Sequence, residues 1–405
     1  MISQSGTFAD CPSDILLEIL QHILPPAHEY RQRHAELTAL RVVCQYWDTV
    51  IVTTPHLWSS INIHFPITDI PVPLFHQWLL RSSNAALDIS IRDRAPINWT
   101  DTEIKHRSKL MLILNSHISR CRTLQLEITT GLLPGLCELS IVDASRLESF
   151  EVNMRGIIEE SVHARLLQQL TSLSSLRSVT ITTHYPLFMS QFLRLSTSSW
   201  LNQLCCVKLF CLTTTNQMLE LMKGCISATE IALNPVRYSI DSPSSTASQN
   251  IPLPHLRKLD LTVTSSNPYH SLTQQFSFPS LASLNISGLT ISDIYPTVQR
   301  FPPSLASLKL RISNTQKLDI NEICTFVRDP NVLRLQFLEI ESREYEGWTE
   351  YDGWDDMNER PIRQAVEDFN KSKDGSRIIK CNTFSERFKR FLISWADVCN
   401  INDRF

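Results

Sequence analysis

Glycine is scarce in this chain, with nine in 405 residues. None of them falls into the G-x-G-x-x-G of dinucleotide-binding folds or the G-x-x-x-x-G-K of phosphate-cradling loops. The H-E-x-x-H of zinc peptidases and the G-x-S-x-G of nucleophile elbows are missing too. The twelve histidines are dispersed, without close pairs at metal-ligand spacing. The paired carboxylates Asp355-Asp356 lie in an acidic stretch, where such pairs are usually solvated. The expectation is a non-catalytic protein without cofactor or metal. Charge of one sign is also lacking. The formal net charge is −3, and the densest basic cluster, Arg387-Phe388-Lys389-Arg390, reads as one turn of an amphipathic helix. A dedicated nucleic-acid binder would need a clustered basic excess, so none is expected.

No apolar run is long enough to span a bilayer, and Met1 to Gly6 carry neither a basic nor an apolar signal region. No membrane association is expected. The eleven cysteines are odd in number and contain no C-x-x-C pair. They read as reduced thiols, which places the chain in the cytoplasm, the nucleus or both.

What is present begins at the N-terminus. Residues 10–24 read DCPSDILLEILQHIL. Ile15, Leu16, Ile19, Leu20 and Ile23 share one face of a helix. Pro12 suits its first turn, Asp14 sits near the positive end of the dipole, and Pro25-Pro26 ends it. The polar segment HEYRQRHAE reads as a loop or a loose helical turn. Residues 37–52, LTALRVVCQYWDTVIV, repeat apolar residues at three- and four-residue spacing and read as one second helix. Thr53-Thr54-Pro55 breaks it. Helices this short are not stable alone and must bury their faces against something.

Three ordered pieces then stand out: Pro12-Ser13-Asp14-Ile15-Leu16-Leu17-Glu18-Ile19, Val43-Cys44-Gln45-Tyr46-Trp47, and Thr54-Pro55-His56-Leu57-Trp58. Together they resemble an F-box of the type found in many fungal proteins, over residues 10–61. The family usually opens Leu-Pro where this chain has Cys11-Pro12, and the loop between its first two helices is longer than in the shortest members. The resemblance implies a three-helix fold that presents apolar side chains to a Skp-type adaptor, and through it to a cullin. The matching positions are Pro12, Ile15, Leu16, Ile19, Val43, Cys44, Trp47, Leu57 and Trp58. The physics would be a helix face laid in an apolar groove.

Behind this segment an internal period appears. The pattern apolar-x-x-apolar-x-apolar starts at Cys121, Leu147, Leu176, Leu204, Ala228, Leu256, Leu281, Leu305 and Leu335, in steps of 26, 29, 28, 24, 28, 25, 24 and 30 residues. This resembles a leucine-rich repeat at the long end of its range. Two apolar residues of each triplet point inward from a short strand, and the intervening chain crosses back over the core. One repeat cannot bury its own face, so neighbours must stack. Leu87/Ile89/Ile91 reads as the opening cap strand. Segments 163–173, 216–225 and 320–329 fit the helical return. The Asn or Cys that normally follows the strand is replaced, by Thr129, Arg155, His184, Leu212 and others. An irregular array with side loops is therefore expected, the longest at 238–250.

The fold class read from the sequence is α/β: a short N-terminal three-helix F-box (10–61), then an irregular leucine-rich repeat solenoid, or horseshoe (84–342). An acidic-aromatic segment with C-terminal capping helices (343–405) would close it. The implied function is substrate recognition in an SCF-type cullin-RING ubiquitin ligase. The F-box would hold the adaptor and the repeats an unknown protein target. Outward strand residues Lys258, Asp260, Asn285, Lys309 and Glu339 are the candidate target contacts. The alternative is a non-catalytic repeat scaffold without ligase coupling.

Overall fold

The computed structural model describes residues 11–25, 30–65, 72–93, 101–128, 139–155, 160–185, 188–237, 250–263, 272–298, 300, 302–312, 325–326, 328–342 and 378–382. The chain is mixed α/β and divides into two compact units, Met1–Tyr185 and Pro186–Phe405.

The first unit opens with three helices, α1 (Ser13–Ile23), α2 (Tyr30–Arg41) and α3 (Gln45–Thr53). A 3-10 turn over Pro55–Trp58 follows. Two expectations fail here. The polar segment expected as a loop or a loose helical turn is a regular helix from Tyr30, and the single helix expected over 37–52 is broken at Val42 to Cys44. Cys44 is fully extended and precedes α3 as its cap residue, so the chain turns where Val42-Val43 disfavour continued helix. The Arg41 guanidinium meets Asp48 at 2.6 Å across this break.

Only Ser59 separates the 3-10 turn from the first strand, β1 (Ser60–Phe65). The strand thus runs through the boundary expected at residue 61, and strand pairing begins at residue 60 rather than in the segment that starts at 84. Then come α4 (Val72–Arg81), β2 (Leu87–Asp93), α5 (Asp101–Asn115), β3 (Cys121–Ile128), β4 (Ser149–Met154), α6 (Glu160–Thr171) and β5 (Ser178–Thr183). Strands β1 to β5 pair in chain order and in parallel.

The second unit carries β6 (Cys206–Phe210), β7 (Thr213–Thr214), β8 (Glu230–Arg237), β9 (Ile251–Pro252), β10 (Lys258–Val263), β11 (Phe276–Ser277) and β12 (Ser283–Ser287). It ends with β13 (Ser307–Ile312), β14 (Phe337–Ser342) and β15 (Ile378–Asn382). The main path is β6-β8-β10-β12-β13-β14-β15, all parallel, with β7 beside β8 and a separate β9/β11 pair. Helices α7 (Phe188–Leu195), α8 (Ser198–Gln203), α9 (Thr215–Gly224), α10 (Ile291–Val298) and α11 (Pro330–Leu333) lie in its connections. Thr214 starts α9 with a reciprocal capping box to Gln217.

Every residue of the nine apolar triplets is buried, none exposing more than 3%. Their neighbours Lys258, Ser283 and Ser307 are not buried, which fixes the strand phase. Parallel pairing needs a crossover between strands, and the 24- to 30-residue step supplies it. Backbone bonds continue the ladder ahead of the strands: Thr229 donates to Cys205, Arg257 to Thr229, Ala282 to Arg257, Ala306 to Ala282 and Gln336 to Ala306. These contacts tie successive segments together although the usual polar ladder residue is replaced.

The expected return helices at 163–173 and 216–225 are present as α6 and α9. The insertion at 238–249, the acidic-aromatic stretch 343–360 and the helices expected at 361–372 and 384–399 lie outside the described residues. Within the C-terminal segment, β15 is a strand in register with β14, an element the sequence reading did not foresee.

Candidate functional site

The five apolar residues expected on one face of α1 divide into two lines. Leu16 and Leu20, four apart, are buried with Leu24 in the helical core. Ile15, Ile19 and Ile23 form the adjacent line and expose 51%, 41% and 47%. Residues four apart stand above one another on a helix, so the three isoleucines make one apolar ridge. Val42 and Val43, in the break between α2 and α3, expose 82% and 55%. A branched apolar side chain left in water forfeits roughly 1.5–3 kcal/mol of burial. Isolated cases are ordinary on protein surfaces; here three stand aligned as one apolar strip.

The expected adaptor residues therefore separate. Pro12, Ile15, Ile19 and Val43 are exposed and Cys44 is half-buried. Leu16, Trp47, Leu57 and Trp58 are buried within the chain, which corrects their expected role as contacts. Their work is internal. The Trp58 indole N–H donates to the Ile51 carbonyl at 2.8 Å. Its ring meets Trp78 of α4 edge-on at 5.3 Å, and the Arg81 guanidinium lies over it at 4.6 Å. His34 of α2 packs on the same Trp78 at 5.4 Å. Burial first, then the Arg81 and Arg41 guanidiniums, hold the His34 imidazole below its ordinary range. At the other end the Tyr46 hydroxyl donates to the Cys11 carbonyl at 2.7 Å, and Arg33 donates to the Pro25 carbonyl at 2.8 Å. These contacts brace both ends of α1 and hold its exposed ridge in place.

The five expected target residues lie on the outward side of β10, β12, β13 and β14, and the register brings four of them into one row. Asp260, Asn285, Lys309 and Glu339 stand side by side on successive strands. They are engaged with each other. Asn285 donates to Asp260 at 2.9 Å, and Lys309 meets Glu339 at 2.9 Å. Glu339 is buried despite its charge. Lys258 belongs to a neighbouring row, where Glu230 bridges Lys258 at 2.8 Å and Lys208 at 3.2 Å. Burial pushes the Glu230 carboxyl up, but hydrogen bonds from Lys258 and Lys208 outweigh it and leave the group below its ordinary range. The sequence reading found the outward positions. It did not find their pairing, which depends on register between residues 22 to 30 apart.

Among the described residues, no group of three or more His, Cys, Asp or Glu is arranged to hold a metal ion. The described thiols that stand apart from the surface, Cys121, Cys211 and Cys225, are pushed up by burial to about 12, 11 and 12. That is the environment of inert core thiols. No helix among the described residues is long and apolar enough to cross a membrane. Neither a protein-family model nor a curated protein matches the chain.

Proposed function

We propose that this chain is the substrate-recognition subunit of an SCF-type ubiquitin ligase. In this reading the N-terminal helices are an F-box, and the stacked parallel strands form an irregular leucine-rich repeat solenoid. The chain performs no chemistry itself. It brings a protein target close to a ubiquitin-transferring enzyme elsewhere in the complex, a contribution of proximity. It works in the cytoplasm or the nucleus.

The observation that carries this reading is the ridge of Ile15, Ile19 and Ile23, left in water on the helix that bears the first motif piece. A helix row of this kind suits an apolar groove on a Skp-type adaptor. The target belongs on the outward strand faces, where paired charges of both signs favour selectivity over general stickiness.

The test is co-purification. Full-length chain should capture the adaptor and, with it, cullin. Ile15→Asp combined with Ile19→Asp should abolish the capture, because an ionised carboxylate is not desolvated into an apolar groove without a partner. Circular dichroism should be unchanged, since both positions are exposed. Adaptor capture at the wild-type level by this double variant would remove the assignment. A chain that captures proteins but never adaptor or cullin would be a scaffold without ligase coupling.

A further inference from the structure

A second feature lies in the first unit, away from the apolar ridge. Parallel pairing sets the leading ends of β2 to β5 side by side; β3 carries Arg122 there, and the segments entering β4 and β5 carry Arg146, Glu148 and Arg177. These side chains, with Ser145 and Ser175, line an open depression of about 360 Å³.

The charges in its wall are unequally satisfied. Arg122 is held by Asp88 through two bonds, Nε to Oδ1 at 3.1 Å and Nη2 to Oδ2 at 2.6 Å. Arg146 makes one long contact of 3.4 Å to the Asn84 carbonyl. Arg177 donates from one terminal nitrogen to the Ser174 and Leu176 carbonyls, at 2.9 and 3.1 Å. Among the described residues, neither Arg146 nor Arg177 has a carboxylate within ion-pair distance. Arg146 also has a cationic neighbour outside the wall, Arg120. Burial first, and then the Arg146 guanidinium, hold Arg120 below the ordinary arginine range. One terminal nitrogen of Arg120 is buried without a hydrogen-bond partner among the described residues. Two wall guanidiniums without a carboxylate partner, one of them beside a further cation, mark a place where an anion lowers the energy.

We propose that this depression is an anion site for a phosphate-type dianion. The charge of its wall favours the dianion over a monoanion. With Arg122 neutralised by Asp88, Arg146 and Arg177 stand against Glu148. A monoanion at the same point gains from this positive balance only once. A dianion gains about twice as much from the same balance. Donors arriving from two different strand ends, with Ser145 also in the wall, suit a tetrahedral oxyanion, and guanidiniums bind such groups through paired charge-assisted bonds. The dianion is either free in solution or carried as a phosphoryl group on a protein. The inference does not rest on the ligase reading.

The experiment uses the full-length chain at low ionic strength. It is titrated with inorganic phosphate and, separately, with a short capped phosphoserine peptide. Binding is followed by calorimetry and by the arginine side-chain NMR resonances. Both probes should bind, and tighter binding of the peptide identifies a protein-borne phosphoryl group as the natural source. Arg146→Ala and Arg177→Ala should each weaken binding at least about tenfold, the scale of one lost charge-assisted contact. Glu148→Gln should tighten it several-fold, a gain that misfolding cannot imitate. Arg155→Ala, at the opposite ends of the strands beside Glu127, should leave it unchanged. No binding of either probe by about 10 mM, where a millimolar site is mostly filled, overturns the proposal. So does a Glu148→Gln variant that binds no more tightly than the parent.

Discussion

At the residue scale, the most informative side chains are those whose burial departs from their sequence pattern. The α1 stripe was legible as apolar, but the division between Leu16/Leu20 and Ile15/Ile19/Ile23 was not. Periodicity places five residues on a broad arc, and only the packed partner decides which part of the arc is covered. The tryptophans show the same ambiguity. Trp47 and Trp58 match motif positions, yet both are consumed by the chain's own core. Leu16→Asp should therefore unfold the helical segment, whereas Ile15→Asp should not, a contrast visible in thermal melting. His34 gives a pH prediction. Its folded-state pKa lies below its unfolded value of 6.5, for the burial and arginine reasons given above. The unfolded chain thus binds the proton more readily, and the stabilisation present above pH 6.5 is lost as the pH falls through the lowered folded value. His34→Phe, which keeps a ring against Trp78, should flatten the melting temperature of the first unit across that interval. An unchanged slope would show that His34 does not titrate there.

At the element scale, the strands were the legible part. Nine triplets named from spacing alone are all buried, because a parallel strand buried by its neighbours leaves a period of two in the sequence. Leu259→Ala, Leu284→Ala and Leu308→Ala should each cost about 2–5 kcal/mol in chemical denaturation. Ser283→Ala and Ser307→Ala, one position earlier, should stay within about 0.5 kcal/mol. Equal sensitivity at both sets would contradict the observed phase. Gly288, just after β12, adds a case that apolar periodicity does not reveal. Its φ is +92°, and a Cβ there would stand 1.9 Å from the Val263 carbonyl oxygen. Gly288→Ala should destabilise the second unit by more than about 1 kcal/mol, since the backbone itself must move. The elements that stayed hidden share a cause. The first half of helix α2 is polar, without an apolar stripe that separates a helix from a loop or loose helical turn, and β1 follows directly on the third motif piece, outside the repeat spacing. β15 lies alone in a stretch without repeat spacing.

At the scale of the whole molecule, the helical segment is continuous with the strands of the first unit. A cut at residue 61 would leave Ser60 and Ile61 on one side of β1 and part Trp58 from Trp78. Neither 1–61 nor 62–405 should therefore behave as an intact half. The shorter piece should lack a cooperative thermal transition, and the longer one should melt below the parent. A cooperative transition in isolated 1–61 would show that its core closes without α4.

The single residue between the 3-10 turn and β1 has a metric consequence. A helical segment joined by a flexible tether could present its partner at many distances from the strand faces. One that passes into β1 through Ser59 alone, clamped by Trp58, Trp78 and Arg81, works as a ruler. Neighbouring strands stand about 4.8 Å apart. Whatever rests on the outward face of β1 to β5 is thus held at an address graduated in strand widths from whatever grips the isoleucine ridge. Moving its footing by one strand changes that reach by about 5 Å.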